Sequence, residues 1–236
     1  MLFLKMKKIK IYLDTADINK IVKKYKDKRI SGYTTNPSLM KKNNIKSYSK
    51  FIKYVCSKIS KPISFEIFSD NEEEIYDQAM KISNFSRNIF VKIPIVNSKG
   101  LILKRVIKKL SDKKVKLNIT AVFTYSQFKS AYDALNKNIP SIISIFAGRI
   151  ADTGIDPSLM IKKCVRYKKS NYIEILWAST REYLNIIQAE KLNCDIITVT
   201  PEIFNKNKIK NYNLTKYSIE TSKMFYEDAK KMKLKL

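Results

Sequence analysis

Short runs of β-branched and other apolar residues alternate with longer segments of helical periodicity along the chain. Eight runs predict strands at residues 9–14, 29–35, 62–68, 88–94, 115–120, 141–146, 172–178 and 195–200. The intervening segments predict helices at residues 17–28, 46–59, 71–84, 100–110, 124–137, 157–168 and 180–191. No linker rich in Pro, Gly or Ser divides these units, so the pattern indicates a single α/β domain.

Eight successive strand-helix units are the sequence pattern of a (β/α)8 TIM barrel. A doubly wound open sheet shows the same alternation, and the pattern alone does not separate the two. We predict a single barrel over residues 9–213. A further amphipathic segment begins near Leu214 and exceeds what barrel closure requires, so residues 214–236 are predicted to form an extra C-terminal helix.

Polar residues inside the predicted strands indicate where the chemistry lies. Side chains that face the outer helices of a barrel are apolar, so polar ones point inward. In the fourth strand Ile89, Val91 and Ile93 share one face, which turns Lys92 to the interior. The same count turns five more polar residues inward, near the C-terminal strand ends where barrel enzymes hold catalytic groups. These are Asp14, Glu66, Asn118, Thr120 and Ser144.

Each of these residues also has a purely structural interpretation. Lys92 would extend its amine along apolar surface to solvent, as strand lysines commonly do. Asp14 would cap the helix that begins near Asp17, a frequent use of Asp at a strand end. Asn118 and Thr120 would form hydrogen bonds with backbone groups of the loops. Ser144 would be a small residue tolerated in packing. Their common face, together with a lysine and two carboxylates, favours a functional site.

Composition narrows the possible chemistry. The chain contains no histidine, which excludes Ser-His-Asp and Cys-His nucleophiles and imidazole metal ligands. Acid and base steps must then use carboxylates, lysine, tyrosine or water. With 44% apolar residues the chain has the composition of a globular protein with a sizeable core.

The net charge of +26 raises the question of nucleic-acid binding. The lysines are spread over the whole chain, and no zinc finger, RGG tract or other nucleic-acid signature accompanies them. We therefore interpret the charge as a solvated basic face and expect no nucleic-acid partner.

Three cysteines, Cys56, Cys164 and Cys194, are far apart and in no metal-binding spacing, which favours a reducing cytoplasm. The opening MLFLKMKK is too short and too rich in lysine for a signal peptide, and Met1 and Met6 are alternative starts. No apolar run approaches the about 18 residues of a membrane span, so no membrane partner is expected.

The inward lysine suggests a specific reaction. An amine in an apolar pocket has its neutral form favoured by desolvation, so it can attack a carbonyl group. The resulting iminium accepts the electron pair released when a neighbouring carbon-carbon bond breaks. Two carboxylates, Asp14 and Glu66, would then move the proton of the hydroxyl and handle the water of imine formation. The set supports aldol cleavage and its reverse with no metal and no organic cofactor.

The chain resembles the transaldolase family of class I aldolases, which includes short transaldolases and fructose-6-phosphate aldolases. The resemblance covers nearly all of the chain from Ile9 and depends on motifs in family order. The motifs are YLDTADI (12–18), TTNPSL (34–39), FVKIP (90–94), NITAVF (118–123), SIFAGRIAD (144–152), ASTR (178–181) and CDIITVTP (194–201).

The resemblance implies roles for the reacting groups. Lys92 would form the Schiff base with a ketose phosphate such as sedoheptulose 7-phosphate or fructose 6-phosphate, and Asp14 would act as general acid and base at the bond that breaks. Glu66 and Thr120 would position the water of imine formation, and Asn36 would hold a hydroxyl of the dihydroxyacetone unit.

The resemblance also implies a set of substrate-binding residues. Asn118 and Ser144 would contact the same three-carbon unit, and Phe146 would line the site. Arginine presents a fork of donors that matches phosphate oxygens. The phosphates would be bound by Arg149, Ser179 and Arg181.

Three positions favour transfer over simple cleavage. Fructose-6-phosphate aldolases resemble this chain but carry glutamine at Glu66, a small residue at Asn118 and tyrosine at Phe146. A phenyl ring has no proton to give to the enamine, so we expect a transaldolase, with the aldolase as the alternative. A non-catalytic nucleic-acid-binding barrel is a more remote one. Trp177 and Thr180 depart from the family pattern and are expected to reshape the acceptor site.

The resemblance implies a homo-oligomer as well. Short family members form pentamers or decamers in which a C-terminal helix packs on a neighbouring subunit, a use that suits residues 214–233. The implied role is carbohydrate metabolism in the pentose phosphate pathway, with a biosynthetic sugar pathway as the alternative.

Overall fold

The chain closes into a barrel of eight parallel strands in sequence order, with the last strand paired to the first. The computed structural model describes residues 8–233, so the alternative starts Met1 and Met6 and residues 234–236 lie outside the described part. The strands are β1 (Lys10–Asp14), β2 (Ile30–Thr34), β3 (Ile63–Glu66), β4 (Ile89–Pro94), β5 (Leu117–Val122), β6 (Ser141–Ile145), β7 (Ile173–Trp177) and β8 (Ile196–Val199). This confirms the predicted (β/α)8 barrel, and the alternative prediction of a doubly wound open sheet is wrong.

Helices lie at the predicted places along the chain, most of them with shorter bounds than predicted. They are α1 (Ile18–Lys24), α2 (Pro37–Lys42), α3 (Tyr48–Lys58), α4 (Glu72–Ser83), α5 (Lys104–Asp112), α6 (Tyr125–Ala134), α7 (Ala147–Asp152), α8 (Ser158–Tyr167), α9 (Leu184–Lys191), α10 (Pro201–Asn205) and α11 (Leu214–Met232). The sequence did not predict α2, α7 and α10, because five or six residues are too few to show a helical period.

The two faces of the strands enter two separate cores. Ile89, Val91 and Ile93 of β4 belong to the large core between barrel and helices. Phe90 belongs to the small core inside the barrel, which also contains Tyr12 of β1. The predicted alternation is therefore confirmed, and it leaves the inward polar positions at the C-terminal end of the barrel.

Strand register aligns the polar residues side by side. Glu66 of β3 is paired with Lys92 of β4, and Lys92 is paired in turn with Asn118 of β5. Asp14 is paired with Thr34 across β1 and β2. Because parallel strands all end at the same rim, these pairs place carboxylates, amine and hydroxyls around one opening.

The chain divides into two compact units, one up to Phe204 and one from Asn205. The second unit contains a short 3-10 helix, Lys206–Ile209, and α11. Asn213 caps α11 by accepting a hydrogen bond from the backbone of Lys216, at 2.9 Å. This confirms the predicted C-terminal helix. Among residues 8–233, no helix has the length and apolar character that a membrane crossing requires.

Candidate active site

A cavity of about 390 Å³ opens at the C-terminal ends of the strands, within the first unit. Except for Asn118, the predicted site residues all contribute to its wall. They are Asp14, Asn36, Glu66, Lys92, Thr120, Ser144, Phe146, Arg149, Ser179 and Arg181.

Lys92 lies buried in this cavity wall, with 7% of its surface exposed. Its Nζ lies 3.2 Å from Glu66 Oε2 and donates a hydrogen bond to the Thr35 carbonyl at 3.1 Å. The interpretation of Lys92 as a strand lysine that reaches solvent is therefore wrong. A buried amine next to a carboxylate has a neighbour that can take its proton.

Asp14 ends β1 and lines the same cavity. Its Oδ1 accepts a hydrogen bond from Thr34 Oγ1 at 2.7 Å. Burial raises the pKa of Asp14, and this outweighs the opposing effects of Lys92 and the Thr34 hydrogen bond. Helix α1 is capped by Asp17, which accepts from the Lys20 backbone at 3.1 Å, so the capping role considered for Asp14 is wrong.

Asn118 lies beneath the cavity wall and is completely buried. Its Nδ2 donates to Ser64 Oγ at 2.9 Å, and its Oδ1 accepts from Ser144 Oγ at 2.7 Å. Asn118 therefore orients the Ser144 hydroxyl, and its side chain does not hydrogen-bond to loop backbone as the structural interpretation predicted. Ser144 donates its one hydroxyl proton to Asn118, so toward a ligand its oxygen can only accept a hydrogen bond.

Thr120 presents a buried Oγ1 that has no hydrogen-bond partner within residues 8–233. A buried hydroxyl without a partner is costly and calls for an explanation. Thr120 lines the cavity together with Glu66 and Lys92, where a ligand or a water molecule would complete its hydrogen bonding.

Asn36 begins α2 and lines the cavity from the β2 side. Its Oδ1 accepts a hydrogen bond from the Leu39 backbone at 2.9 Å, which makes Asn36 the N-cap of the helix. Because the cap uses the side-chain oxygen, the amide NH2 group is the part of Asn36 available to a ligand.

Helix α7 packs closely on the loop after β7. A Cβ at Gly148 would lie 1.6 Å from the Ser179 carbonyl oxygen, so only glycine fits there. Ser179 has a φ of +63°, in the left-handed region that non-glycine residues seldom occupy. This close approach brings Arg149, on α7, and Arg181, after Ser179, to the same side of the cavity.

Both guanidinium groups have defined surroundings. Arg149 Cζ lies 5.7 Å from the centre of the Phe146 ring, a cation-π distance. Arg181 Nε donates to both carboxylate oxygens of Asp152, at 3.0 and 3.1 Å. This hydrogen bonding lowers the pKa of Asp152. Two cations and the Ser179 hydroxyl thus form the polar rim that phosphate oxygens require.

The two departures from the family pattern lie in different places. Thr180 lines the cavity as expected, and its Oγ1 donates to the Thr198 carbonyl at 2.5 Å. Trp177 belongs to the outer core and lines a separate cavity, while its neighbour Leu176 faces the barrel interior. The expectation that Trp177 shapes the acceptor site is therefore wrong, because its strand position turns it outward.

The sequence analysis missed Thr34 and Thr198, which also line the cavity. The signal was present: Thr198 stands between Ile197 and Val199, which belong to the outer core, so the strand alternation turns it inward. Thr34 likewise follows Tyr33, an outer-core residue.

Comparison with known proteins agrees with this site. The profile of a family described as Transaldolase/Fructose-6-phosphate aldolase matches residues 11–236. A probable transaldolase of Bdellovibrio bacteriovorus is 31% identical over 96% of this chain and 100% of its own length. A probable transaldolase of Thermoanaerobacter sp. is 32% identical over 97% of this chain and 100% of its own length. One of Methanococcus maripaludis is 29% identical over 90% of this chain and 94% of its own length. The chain therefore belongs to the transaldolase/fructose-6-phosphate aldolase family.

Proposed function

We propose that this protein is a transaldolase that moves a dihydroxyacetone unit from a ketose phosphate, such as sedoheptulose 7-phosphate or fructose 6-phosphate, to an aldose phosphate through an imine at Lys92. One observation carries the proposal: the buried Lys92 amine shares a cavity with two carboxylates, Asp14 and Glu66. Nucleophile, base and second proton carrier are then all within one site. The relatives named probable transaldolase support the same activity.

Imine formation requires Lys92 to lose a proton and the substrate to lose water. Glu66 Oε2, at 3.2 Å, is placed to take the proton from Nζ. The nitrogen then attacks the ketone carbon and one of its protons passes to the ketone oxygen, after which Glu66 returns a proton to the resulting hydroxyl, which departs as water and leaves the iminium. The unpartnered Thr120 Oγ1 offers this water a second hydrogen bond.

Cleavage of the carbon-carbon bond then uses Asp14 as the base. The carboxylate takes the proton of the hydroxyl on the carbon beyond the bond that breaks, and an aldehyde leaves. The electron pair of that bond moves onto the iminium and gives an enamine. The acceptor aldehyde reverses these steps, with Asp14 returning the proton to its oxygen. Burial raises the pKa of Asp14, which suits a group that must take and return a proton.

Substrate selection follows from the rim of the cavity. Arg149, Ser179 and Arg181 provide charge and donors for the phosphate of donor and acceptor sugars. Phe146 lines the same cavity and has no hydroxyl. The enamine therefore has no phenolic proton source at this position, which favours its retention until an acceptor aldehyde binds.

We also infer that α11 packs against a second copy of this chain. A stripe of five apolar residues lines one side of the helix, and its members are about half exposed or more, while Ile219 and Tyr226 are exposed on the other side. The stripe consists of Leu214, Tyr217, Met224, Phe225 and Met232. Exposed apolar stripes of this kind are usually covered by a partner, and short family members use their C-terminal helix in this way.

Borohydride reduction in the presence of fructose 6-phosphate tests the imine. The three-carbon unit should become attached to the peptide that contains Lys92, as read by mass spectrometry, and Lys92→Ala should remove the label. Lys116→Ala is a matched control, since Lys116 also lies beside a strand but donates to the Arg87 carbonyl outside the cavity. Label that remains at the same level in Lys92→Ala would contradict the assignment.

Product analysis separates transfer from the alternatives. With fructose 6-phosphate and erythrose 4-phosphate, a transaldolase should form sedoheptulose 7-phosphate faster than free dihydroxyacetone. A fructose-6-phosphate aldolase would release dihydroxyacetone without an acceptor. A non-catalytic basic barrel would give neither product and would instead bind generic duplex in a salt-sensitive manner.

A further inference from the structure

Two hydroxyl groups that have no role in the mechanism above connect Asp14 to strand β8. Thr34 Oγ1 lies 2.7 Å from Asp14 Oδ1 and 2.6 Å from Thr198 Oγ1. Both threonines are buried, with 3% and 6% of their surfaces exposed. Three strands, β1, β2 and β8, thus contribute to one continuous line of hydrogen bonds inside the barrel.

The direction of these hydrogen bonds follows from counting protons. An ionised carboxylate only accepts, so Thr34 must donate its one hydroxyl proton to Asp14 Oδ1. Thr34 then has only lone pairs left for its second neighbour. Thr198 must therefore donate to Thr34, and the order runs from Thr198 through Thr34 to Asp14.

This order makes the two carboxylate oxygens unequal. Oδ1 of Asp14 is occupied by Thr34, whereas no residue within 8–233 hydrogen-bonds Oδ2. When Asp14 takes a proton from the substrate, the Thr34 hydrogen bond remains only if the proton arrives on Oδ2. The hydroxyl pair thereby selects the oxygen that carries the proton and restricts rotation of the carboxyl group.

We propose that Thr34 and Thr198 are positioning residues that orient Asp14 and reserve its Oδ2 for the substrate hydroxyl. This inference rests on the proposed function, since it assigns the pair to the proton transfer at Asp14. It predicts a larger effect on the rate of the chemical step than on substrate binding, because both hydroxyl protons are used within the hydrogen-bonded line and neither can be donated to the sugar.

The pair also affects the pH dependence. Asp14 faces Lys92 from β4, Glu66 from β3 and the two hydroxyls from β2 and β8. The Thr34 hydrogen bond lowers the pKa of Asp14, against the effect of burial. Its removal should raise that pKa. Asp14 must be ionised to take the substrate proton, so the acid limb of the rate profile should move to higher pH.

The test uses Thr34→Val and Thr198→Val, which remove the hydroxyls and keep the shape. We expect kcat for transfer to fall about tenfold in Thr34→Val and about threefold or more in Thr198→Val, with KM changed less than about twofold. The acid limb should move to higher pH in Thr34→Val. Serine at either position restores a hydroxyl and should recover most of the lost kcat.

Ser141→Ala is a matched control. Ser141 lies in β6, is 1% exposed, and its Oγ has no hydrogen-bond partner within the described residues. It lies outside the cavity wall, so loss of this buried hydroxyl should leave kcat and the acid limb as in the wild type.

Several outcomes would overturn the inference. The inference is wrong if the valine variants keep kcat within about twofold and the acid limb of the rate profile does not move. It is also wrong if kcat falls in the valine variants and serine does not recover it. If a valine variant does not fold, alanine at the same position is judged by the same criteria. Borohydride labelling of Lys92 is measured throughout, because absence of label in the wild type contradicts the proposed function and with it this inference.

Discussion

At the scale of single residues, Asp14, the proposed proton acceptor, is a carboxyl group whose burial opposes its ionisation. Burial raises the pKa of Asp14, and the attraction of Lys92 and the Thr34 hydrogen bond do not offset it. When the folded-state pKa of an acid exceeds its unfolded value, ionisation lowers the free energy of unfolding. This decrease in the free energy of unfolding begins as pH rises through the pKa of the unfolded state and is complete above the pKa of the folded state. Asp14 should therefore decrease stability at neutral pH while it serves the reaction.

Replacement of Asp14 by asparagine should separate these two effects. Asp14→Asn keeps an acceptor for Thr34 but cannot take a proton, so kcat should fall about 100-fold or more while Lys92 still forms the imine. Its Tm should exceed that of the wild type near pH 8, and the difference should vanish as pH falls below the unfolded value of about 3.9. Thermal melts across this pH range, with borohydride labelling, measure both effects.

Asp77→Asn is the control for this experiment. Asp77 is exposed on α4, so the substitution makes the same change of charge without burial. It should change neither kcat nor the dependence of Tm on pH. Near-normal turnover of Asp14→Asn would show that Asp14 is not the base, and a Tm equal to that of the wild type at every pH would refute the stability argument.

At the scale of elements, the contact between α7 and the loop after β7 positions the residues proposed to bind phosphate. Gly148 N donates to the Ala178 carbonyl at 3.3 Å, and the absence of a side chain lets α7 approach the Ser179 backbone. Arg149 follows directly on α7, and Asp152 at its end orients Arg181. One small residue thus determines the distance between the two arginines.

Gly148→Ala should therefore damage phosphate binding more than chemistry. The new Cβ would overlap the Ser179 carbonyl, so α7 or the loop must move and separate Arg149 from Ser179. A displacement of about 1 Å can cost about 100-fold in the rate of a reaction that depends on positioning. We expect KM for fructose 6-phosphate to rise at least about tenfold, with little change for unphosphorylated fructose.

Gly100→Ala provides the comparison. Gly100 lies between β4 and α5 with a φ of +80°, and a Cβ there would meet no atom within 4 Å. Alanine at this position costs about 1 kcal/mol of stability through backbone strain. It should leave both KM values as in the wild type. Equal losses for phosphorylated and unphosphorylated sugar in Gly148→Ala would argue for general unfolding and against a phosphate rim.

At the scale of the whole molecule, the proposed contact of α11 with another copy would make the protein a homo-oligomer. The 19 residues of α11 include none that is buried, although Leu214 and Phe225 are large and apolar. The net charge of +26 repels copies from one another, so an apolar contact has to overcome this repulsion. Association should therefore strengthen as salt screens the charge.

The expected result is a wild-type oligomer whose size falls in Phe225→Glu, because a carboxylate in an apolar contact would lose its hydration. Multi-angle light scattering coupled to gel filtration at low and moderate salt measures this. Lys223→Glu is the control, since Lys223 lies on the other side of the helix from the apolar stripe. A wild-type monomer, or the same mass for Phe225→Glu and wild type, would contradict the oligomer.

From the sequence, the eight strand-helix units and most of the candidate site could be predicted, whereas the pairing of β8 with β1 was needed to exclude an open sheet. Side-chain alternation in a strand is a local property with a period of two, so Lys92, Glu66 and Ser144 are turned inward by their immediate neighbours. Parallel strands then end at one rim, which brings these residues into one cavity without knowledge of any distance.

The contacts between distant parts of the chain could not be predicted from the sequence. Closure of β8 on β1 brings Thr198 to Thr34, 164 positions away, and completes the hydroxyl chain to Asp14. The approach of Gly148 to Ser179 and the burial of Asn118 beneath the cavity wall were likewise not predicted. Strand alternation specifies the side to which a residue points, whereas these contacts depend on register, depth in the barrel and loop packing, which no local pattern contains.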